Sequence, residues 1–288
     1  MSRQMRIEFP GALYHVTARG NCKSDIFIDD NDRFRFLDAL SSTVKQYNLL
    51  CHAYCVMTNH YHLMIETPDA NLSSSMHRLN TVYANYFNWK HDRIGHLFQG
   101  RFNAIVVQKE SHLLELCRYI VLNPVRAHIV SDPSQYDWSS FRETISSSYR
   151  SGSFLTKDWI LSQFDPDMHL AKKRYIDFVL EGIDSDSPMN DVKGDLVLGD
   201  VNFVEQLKKH VRTGLDDAEI PVEQRQLFIK RLEDMFGDIK SLNKEMRNNL
   251  ILEACNQLGY TQIEVSTYLG LNRRTIARIV AHADPVSN

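Results

Sequence analysis

Residues 49–66 constrain the fold of this chain more than any other stretch. Residues 49–57 are nearly all apolar, Thr58-Asn59 is a two-residue polar break, and His60-Tyr61-His62-Leu63-Met64-Ile65-Glu66 follows. Two such runs around a short polar break predict neighbouring strands that turn on Thr58-Asn59. Side chains alternate across a strand, so Tyr61, Leu63 and Ile65 share one face, and His60, His62, Met64 and Glu66 share the other. The first face needs a core. The second sets two imidazoles side by side, half of a divalent-cation site, with a carboxylate further along. With 12 histidines in 288 residues, a pair two apart is a weak signal alone. Glu66 reads as a solvated strand end or, less well, as a third ligand.

The flanking segments extend the pattern. Residues 12–19 alternate, with Tyr14, Val16 and Ala18 opposed to His15, Thr17 and Arg19, and Gly20-Asn21 ends the run. His15 and Arg19 then share the face of His60 and His62, with His15 a supporting residue, or one facing whatever that face binds, rather than a ligand. Residues 29–47 place Phe34, Leu37, Leu40 and Val44 at helical spacing, and residues 72–89 do the same with Met76, Leu79, Val82, Tyr83 and Tyr86. Residues 102–107 are a fourth strand. A further helix begins near Ser111, a candidate N-cap. Pro124 disfavours helical geometry at Asn123, which sets the expected helix end. Tyr119 and Asn123 lie four apart, on one face. Strand, helix, strand, strand, helix, strand and an added helix describe an α+β chain with a ferredoxin-like sandwich. Its two intervening helices bury one sheet face. The polar face must bind something or be covered.

Four stretches, Tyr14-His15-Val16-Thr17-Ala18-Arg19-Gly20-Asn21, Val56-Met57-Thr58-Asn59-His60-Tyr61-His62-Leu63, Leu97-Phe98-Gln99-Gly100-Arg101-Phe102 and Tyr119-Ile120-Val121-Leu122-Asn123-Pro124-Val125-Arg126-Ala127, occur in that order. Together they resemble the single-tyrosine HUH transposases (IS200-like), in particular the REP-associated tyrosine transposase branch, over roughly residues 5–145. The resemblance implies Tyr119 as the nucleophile, His60 and His62 as metal ligands, and Asn123 in the place of the third ligand. It also implies a covalent 5′-phosphotyrosine formed on single-stranded DNA near hairpins of repetitive palindromes, with Mg²⁺ or Mn²⁺ as cofactor. Arg19, Asn21, Arg101 and Arg126 are expected DNA contacts. Phe98 and Phe102 could stack on bases or sit in the core. Arg118, beside Tyr119, reads as a phosphate contact or as solvated.

The rest of the chain carries less chemistry. Ser146 to Ser153 reads as a linker by composition, and helical patterns resume from Thr156, with Leu196-Val197-Leu198 a short apolar strand or turn. Residues 1–150 hold 16 basic and 14 acidic side chains, residues 151–240 hold 12 and 18, and residues 241–288 hold 5 and 4. DNA contact must therefore come from local basic patches rather than a global field. In the last stretch, residues 246–258 are amphipathic. Residues 261–280 form two short helical patterns joined at Gly270-Leu271-Asn272, a helix-turn-helix whose second helix is capped by Asn272 and exposes Arg273, Arg274 and Arg278. The expected division is thus 1–148 (HUH domain), 149–240 (helical middle) and 241–288 (duplex-binding helix-turn-helix).

No stretch is apolar enough for a membrane span. Five cysteines without a paired motif read as reduced thiols in a cytoplasmic protein. A monomer is favoured over a homodimer. The expected activity is a metal-dependent single-stranded DNA nuclease and strand transferase. The alternative is a non-catalytic DNA-binding regulator on a transposase-derived fold, and a third reading is a metal-dependent RNA endonuclease without a covalent intermediate.

Overall fold

A computed structural model describes residues 4–146, 153–211, 220–237, 239 and 242–281. Packing separates two compact units: residues 8–200 form one, and residues 201–288 with 1–7 form the other.

The first unit is built on β1 (Ala12–Arg19), β2 (Leu50–Val56), β3 (His60–Thr67), β4 (Asn103–Val107) and β5 (Val197–Leu198), in sheet order β2-β3-β1-β4-β5. The first four strands pair antiparallel, and β5 adds parallel to β4. In the β1–β3 register Arg19 lies opposite His60, Thr17 opposite His62 and His15 opposite Met64. These side chains therefore share one sheet face.

Helices α1 (Asp30–Gln46) and α2 (Leu72–Lys90) cover the opposite face. There Tyr61 packs against Phe36 of α1, with ring centroids 4.8 Å apart, and its hydroxyl donates to Asn80 Oδ1 of α2 at 2.7 Å. A ring with a buried polar tip and a partner is how tyrosine fits a core. The start of α1 is fixed by a capping box between Asp29 and Asp32. Lys90, in the last turn of α2, joins both carboxylates at 2.6 and 2.8 Å.

Helix α3 (Lys109–Arg126) lies against the histidine face. Leu113, Leu116, Cys117, Ile120 and Val121 pack with Leu13, Met64, Ile105 and Val107 of the sheet. Full burial of each large apolar side chain contributes about 1.5–3 kcal/mol. The polar face is thus covered over most of its length, and only its His60 end stays partly open.

Two features of α3 differ from the sequence expectation. It begins at Lys109, so Ser111 lies inside the first turn rather than capping it. Two contacts set that start: Lys109 Nζ pairs with Glu66 at 2.7 Å, and Gln108 N–H donates to the Leu198 carbonyl. It also runs through Pro124 to Arg126. Proline removes the N–H that would reach the Ile120 carbonyl. The Asn123 side chain closes the gap, with Nδ2 donating to the carbonyls of Tyr119 (2.9 Å) and Ile120 (3.4 Å). The chain leaves the helix at His128, in left-handed backbone with φ of 56°.

The same core takes in α4 (Phe141–Ile145), α5 (Asp158–Ser162) and α6 (Met168–Glu181) through Phe141, Ile160, Leu161, Ala171, Tyr175 and Val179. Packing therefore sets no break at residue 148. Most of the expected linker lies outside the described residues.

The second unit comprises α7 (Val201–Leu207), α8 (Val222–Gln226), α9 (Leu232–Phe236), α10 (Lys244–Leu252), α11 (Gln262–Leu269) and α12 (Arg273–Ala281). Leu232, Phe236, Ile251, Val265 and Ile276 share its core. Thr261 and Glu264 form a capping box at the start of α11. Gly270, with φ of 63°, ends that helix, and Leu271 N–H returns to the Ser266 carbonyl at 3.0 Å. Asn272 Oδ1 accepts from Arg274 N–H at 2.9 Å, so three residues turn the chain from α11 into α12. Arg273, Arg274 and Arg278 are exposed. Among the described residues no helix is long and apolar enough to cross a membrane.

Candidate active site

Strand alternation brings His60 and His62 to one face, with ring centroids 4.9 Å apart and planes nearly perpendicular. Helix α3 brings Tyr119 over them. Its ring meets His62 edge to face at 6.2 Å and His15 at 6.0 Å. Tyr119 is half-buried and His60 partly open, whereas His62 and His15 are 8% and 3% exposed.

The hydrogen bonds around the rings differ in kind. His60 Nδ1 lies 2.7 Å from Asn59 Oδ1, and Asn59 Nδ2 donates to the Lys23 carbonyl at 3.0 Å. His62 Nδ1 lies 2.9 Å from His15 Nε2. His62 Nε2 and His15 Nδ1 are buried without a partner. Leaving a buried polar atom unpaired costs about 1–3 kcal/mol, so each such atom calls for an explanation. Burial pushes the pKa of His15 down to about 4 and that of His62 well below its ordinary value, with His15 and His60 adding to the latter shift. Burial also lowers His60, helped by the Arg19 charge opposite it. All three rings are neutral at pH 7, as lone-pair donors must be.

Asn123 lies one turn beyond Tyr119. Its amide nitrogen is committed to the helix backbone, which leaves Oδ1 as the atom with bonding capacity to offer. Among the described residues no cluster of three or more His, Cys, Asp or Glu side chains could hold a metal ion. A cation here would take two imidazoles, an amide oxygen and water. The bare Nε2 of His62 fits that donor set.

The arginines divide by partner. Arg126 lays its guanidinium over the Tyr119 ring at 5.6 Å while donating to the carbonyls of Ser185 (2.7 Å) and Gly182 (3.3 Å). Arg19, Asn21 and Arg101 are exposed. Asn21 N–H donates to the Leu97 carbonyl and Gln99 N–H to the Arg19 carbonyl, which ties the two loops at this end of the sheet together. Arg118 is neither solvated nor aimed at the site: it pairs with Glu115, covers Phe178 at 4.3 Å and fills the space beside Gly182. Phe98 and Phe102 are core residues, 8% and 7% exposed. Glu66 is neither a solvated end nor near the histidine pair. It lies four residues past His62, bonded to His52 Nε2 at 2.9 Å and to Lys109. The Asn59 and His15 hydrogen bonds were not read from the sequence, although alternation does put His15 on the correct face.

Residues 9–123 match the family model described as "Transposase IS200 like". The match spans the stretch that holds three of the four ordered motifs and most of the fourth. Among solved structures, the chain is similar to one described as "Structure of the REP associates tyrosine transposase bound to a REP hairpin". The two share 19% identity, with a TM-score of 0.45, over 58% of this chain and 93% of that one. No curated protein matches the chain.

Proposed function

We propose that the chain is a DNA transesterase of the single-tyrosine HUH type, on a ferredoxin-like sheet, cutting single-stranded DNA beside a hairpin of repetitive palindromic sequence. The observation that supports it best is the convergence of the Tyr119 ring on His62, whose Nε2 is buried without a protein partner. Tyr119 Oη attacks a backbone phosphorus and the bond to the 3′ oxygen breaks. The products are a 5′-phosphotyrosine and a 3′-hydroxyl, which ends with the proton that the phenol gave up. A free phenol has a pKa of about 10, so loss of its proton needs help. The Arg126 guanidinium lies over the ring at 5.6 Å. His60 and His62 through Nε2, and Asn123 through Oδ1, would hold Mg²⁺ or Mn²⁺, with imidazole favouring Mn²⁺. Such an ion, when bound, polarises a non-bridging phosphate oxygen.

Arg19, Asn21 and Arg101 are the contacts to the single strand. Helices α11 and α12 act as a helix-turn-helix, with Arg273, Arg274 and Arg278 on the phosphates and base edges of a duplex. The protein acts as a cytoplasmic monomer.

The test is a denaturing gel of purified protein with labelled hairpin DNA from its own genomic flanks, with Mn²⁺ or EDTA, wild type beside Tyr119→Phe. A Mn²⁺-dependent covalent band that disappears in Tyr119→Phe is the expected result. Cleavage that survives Tyr119→Phe indicates a hydrolytic nuclease instead. Binding without cleavage across several hairpins indicates a regulator.

A further inference from the structure

His60 and His62 each have their Nδ1 atom engaged, by different partners. For His60 the partner settles where the hydrogen sits. Asn59 Nδ2 donates to the Lys23 carbonyl, so Asn59 Oδ1 is the atom facing His60, and an amide oxygen only accepts. His60 therefore carries its hydrogen on Nδ1 and keeps Nε2 bare.

For His62 the partner is another imidazole, which can donate or accept. One hydrogen lies between His15 Nε2 and His62 Nδ1, 2.9 Å apart, with the ring planes within 10° of parallel. If His15 donates, the His62 hydrogen sits on Nε2, which is buried with no acceptor, and that nitrogen has no lone pair to offer. If His15 accepts, the His62 hydrogen sits on Nδ1 and Nε2 is bare, as in His60, while the His15 hydrogen sits on its own Nδ1, likewise buried with no acceptor. Each arrangement leaves one buried N–H unpaired, so the choice falls to the cation, which needs the His62 Nε2 lone pair. The second arrangement gives the two neighbouring histidines the same tautomer. The partner of a ligating histidine is normally a carboxylate, a carbonyl or a water, and here a neutral buried imidazole stands in that place.

We propose that His15 is a positioning residue: its Nε2 accepts the Nδ1–H of His62 and holds that ring with its Nε2 lone pair directed at a divalent cation. The inference rests on the reading of His60 and His62 as cation ligands.

Ring-nitrogen NMR of the full-length wild-type protein with Mg²⁺ tests it directly. The expected spectrum has His60, His62 and His15 all protonated on Nδ1. A hydrogen on His62 Nε2 overturns the role of His15 and ligation through that nitrogen, while broadening of the His60 and His62 signals by traces of Mn²⁺ would still place a cation beside them. Absence of any Mn²⁺ effect on those signals overturns the ligand reading and this inference with it. Calorimetric titration with Mn²⁺ adds a second measure. His15→Leu, which cannot accept, should weaken Mn²⁺ binding by about 10–100-fold, and His15→Gln, whose Oε1 can accept, should stay within about 3-fold of wild type. Hairpin binding in EDTA should be unchanged in both. Wild-type Mn²⁺ affinity in folded His15→Leu overturns the proposal. If that variant does not fold, the wild-type spectrum decides.

Discussion

At one end of β3, Glu66 is bonded to His52 and Lys109, and Lys109 in turn fixes the start of α3. At the other end, His60 and His62 sit under Tyr119, and His62 Nε2 has no partner. Both ends bury polar groups on the same sheet face within a few residues of each other. One end pairs its carboxylate, although His52 Nδ1 and Thr67 Oγ1 there have no partner, and the other leaves a ring nitrogen of each of two adjoining histidines over. What separates the ends is the company of the unpaired atom: His62 Nε2 lies beside a second histidine and under Tyr119, whereas the Glu66 carboxylate is fully engaged.

The largest expected effect comes from exchanging the two ends' roles. His62→Leu should reduce Mn²⁺-dependent adduct formation by about a thousand-fold, the scale of several kcal/mol of transition-state stabilisation. In EDTA its unfolding midpoint should stay close to that of wild type, because the unpaired Nε2 has gone while His15 Nε2 loses its partner. Glu66→Ala should do the reverse. It strands Lys109 and His52 and should lower stability by about 2–4 kcal/mol in urea, with adduct yield per folded molecule unchanged. If both variants lose activity and stability together, the division between the ends is wrong.

Acid separates the ends on a finer scale. His15 titrates near 6.5 when unfolded and at about 4 when folded. Between those values the unfolded chain binds the extra proton. Stability therefore falls as pH drops from 6.5 towards 4 and levels off below, for a total of about 3 kcal/mol. Hydrogen bonding from His52, with Lys109 beside it, holds Glu66 below the ordinary carboxylate value of 4.5. Its contribution is full above 4.5 and is lost only as pH falls through the lowered value. Urea midpoints measured from pH 7 to 3 should show two descents, and His15→Gln should make only the upper one shallower, since His60 and His62 are lowered too and keep their share of it. The smallest effect is expected from Arg126→Lys, which keeps the charge and loses the planar fork across Tyr119. About a ten-fold slower adduct formation, with a stability change near 1 kcal/mol, is the expected outcome in single-turnover assays.

Much of this was legible in the residues because it rests on short periods. Alternation put Tyr61 in the core and His15 beside His62, and a four-residue spacing put Asn123 behind Tyr119. What was misread depends on partners distant in sequence. Ser111 looked like a cap, but Glu66 and Leu198 set the helix start one turn earlier. Arg118 looked free because Phe178 and Gly182 lie some sixty residues on. A polar, serine-rich stretch suggested a boundary near residue 148, yet Ile160, Tyr175 and Val179 bury themselves in the preceding core. Composition marks where a chain is exposed, not which core the next helix joins.

Asn123 and Pro124 form one working unit. The amide nitrogen of Asn123 reaches the carbonyl that the proline leaves unpaired, while its oxygen stays free, so one side chain repairs the helix and offers a ligand. An aspartate at 123 would bring a stronger ligand but no hydrogen for the carbonyl. In relatives of this chain, aspartate or glutamate should therefore stand at this position only where the following residue has an N–H again.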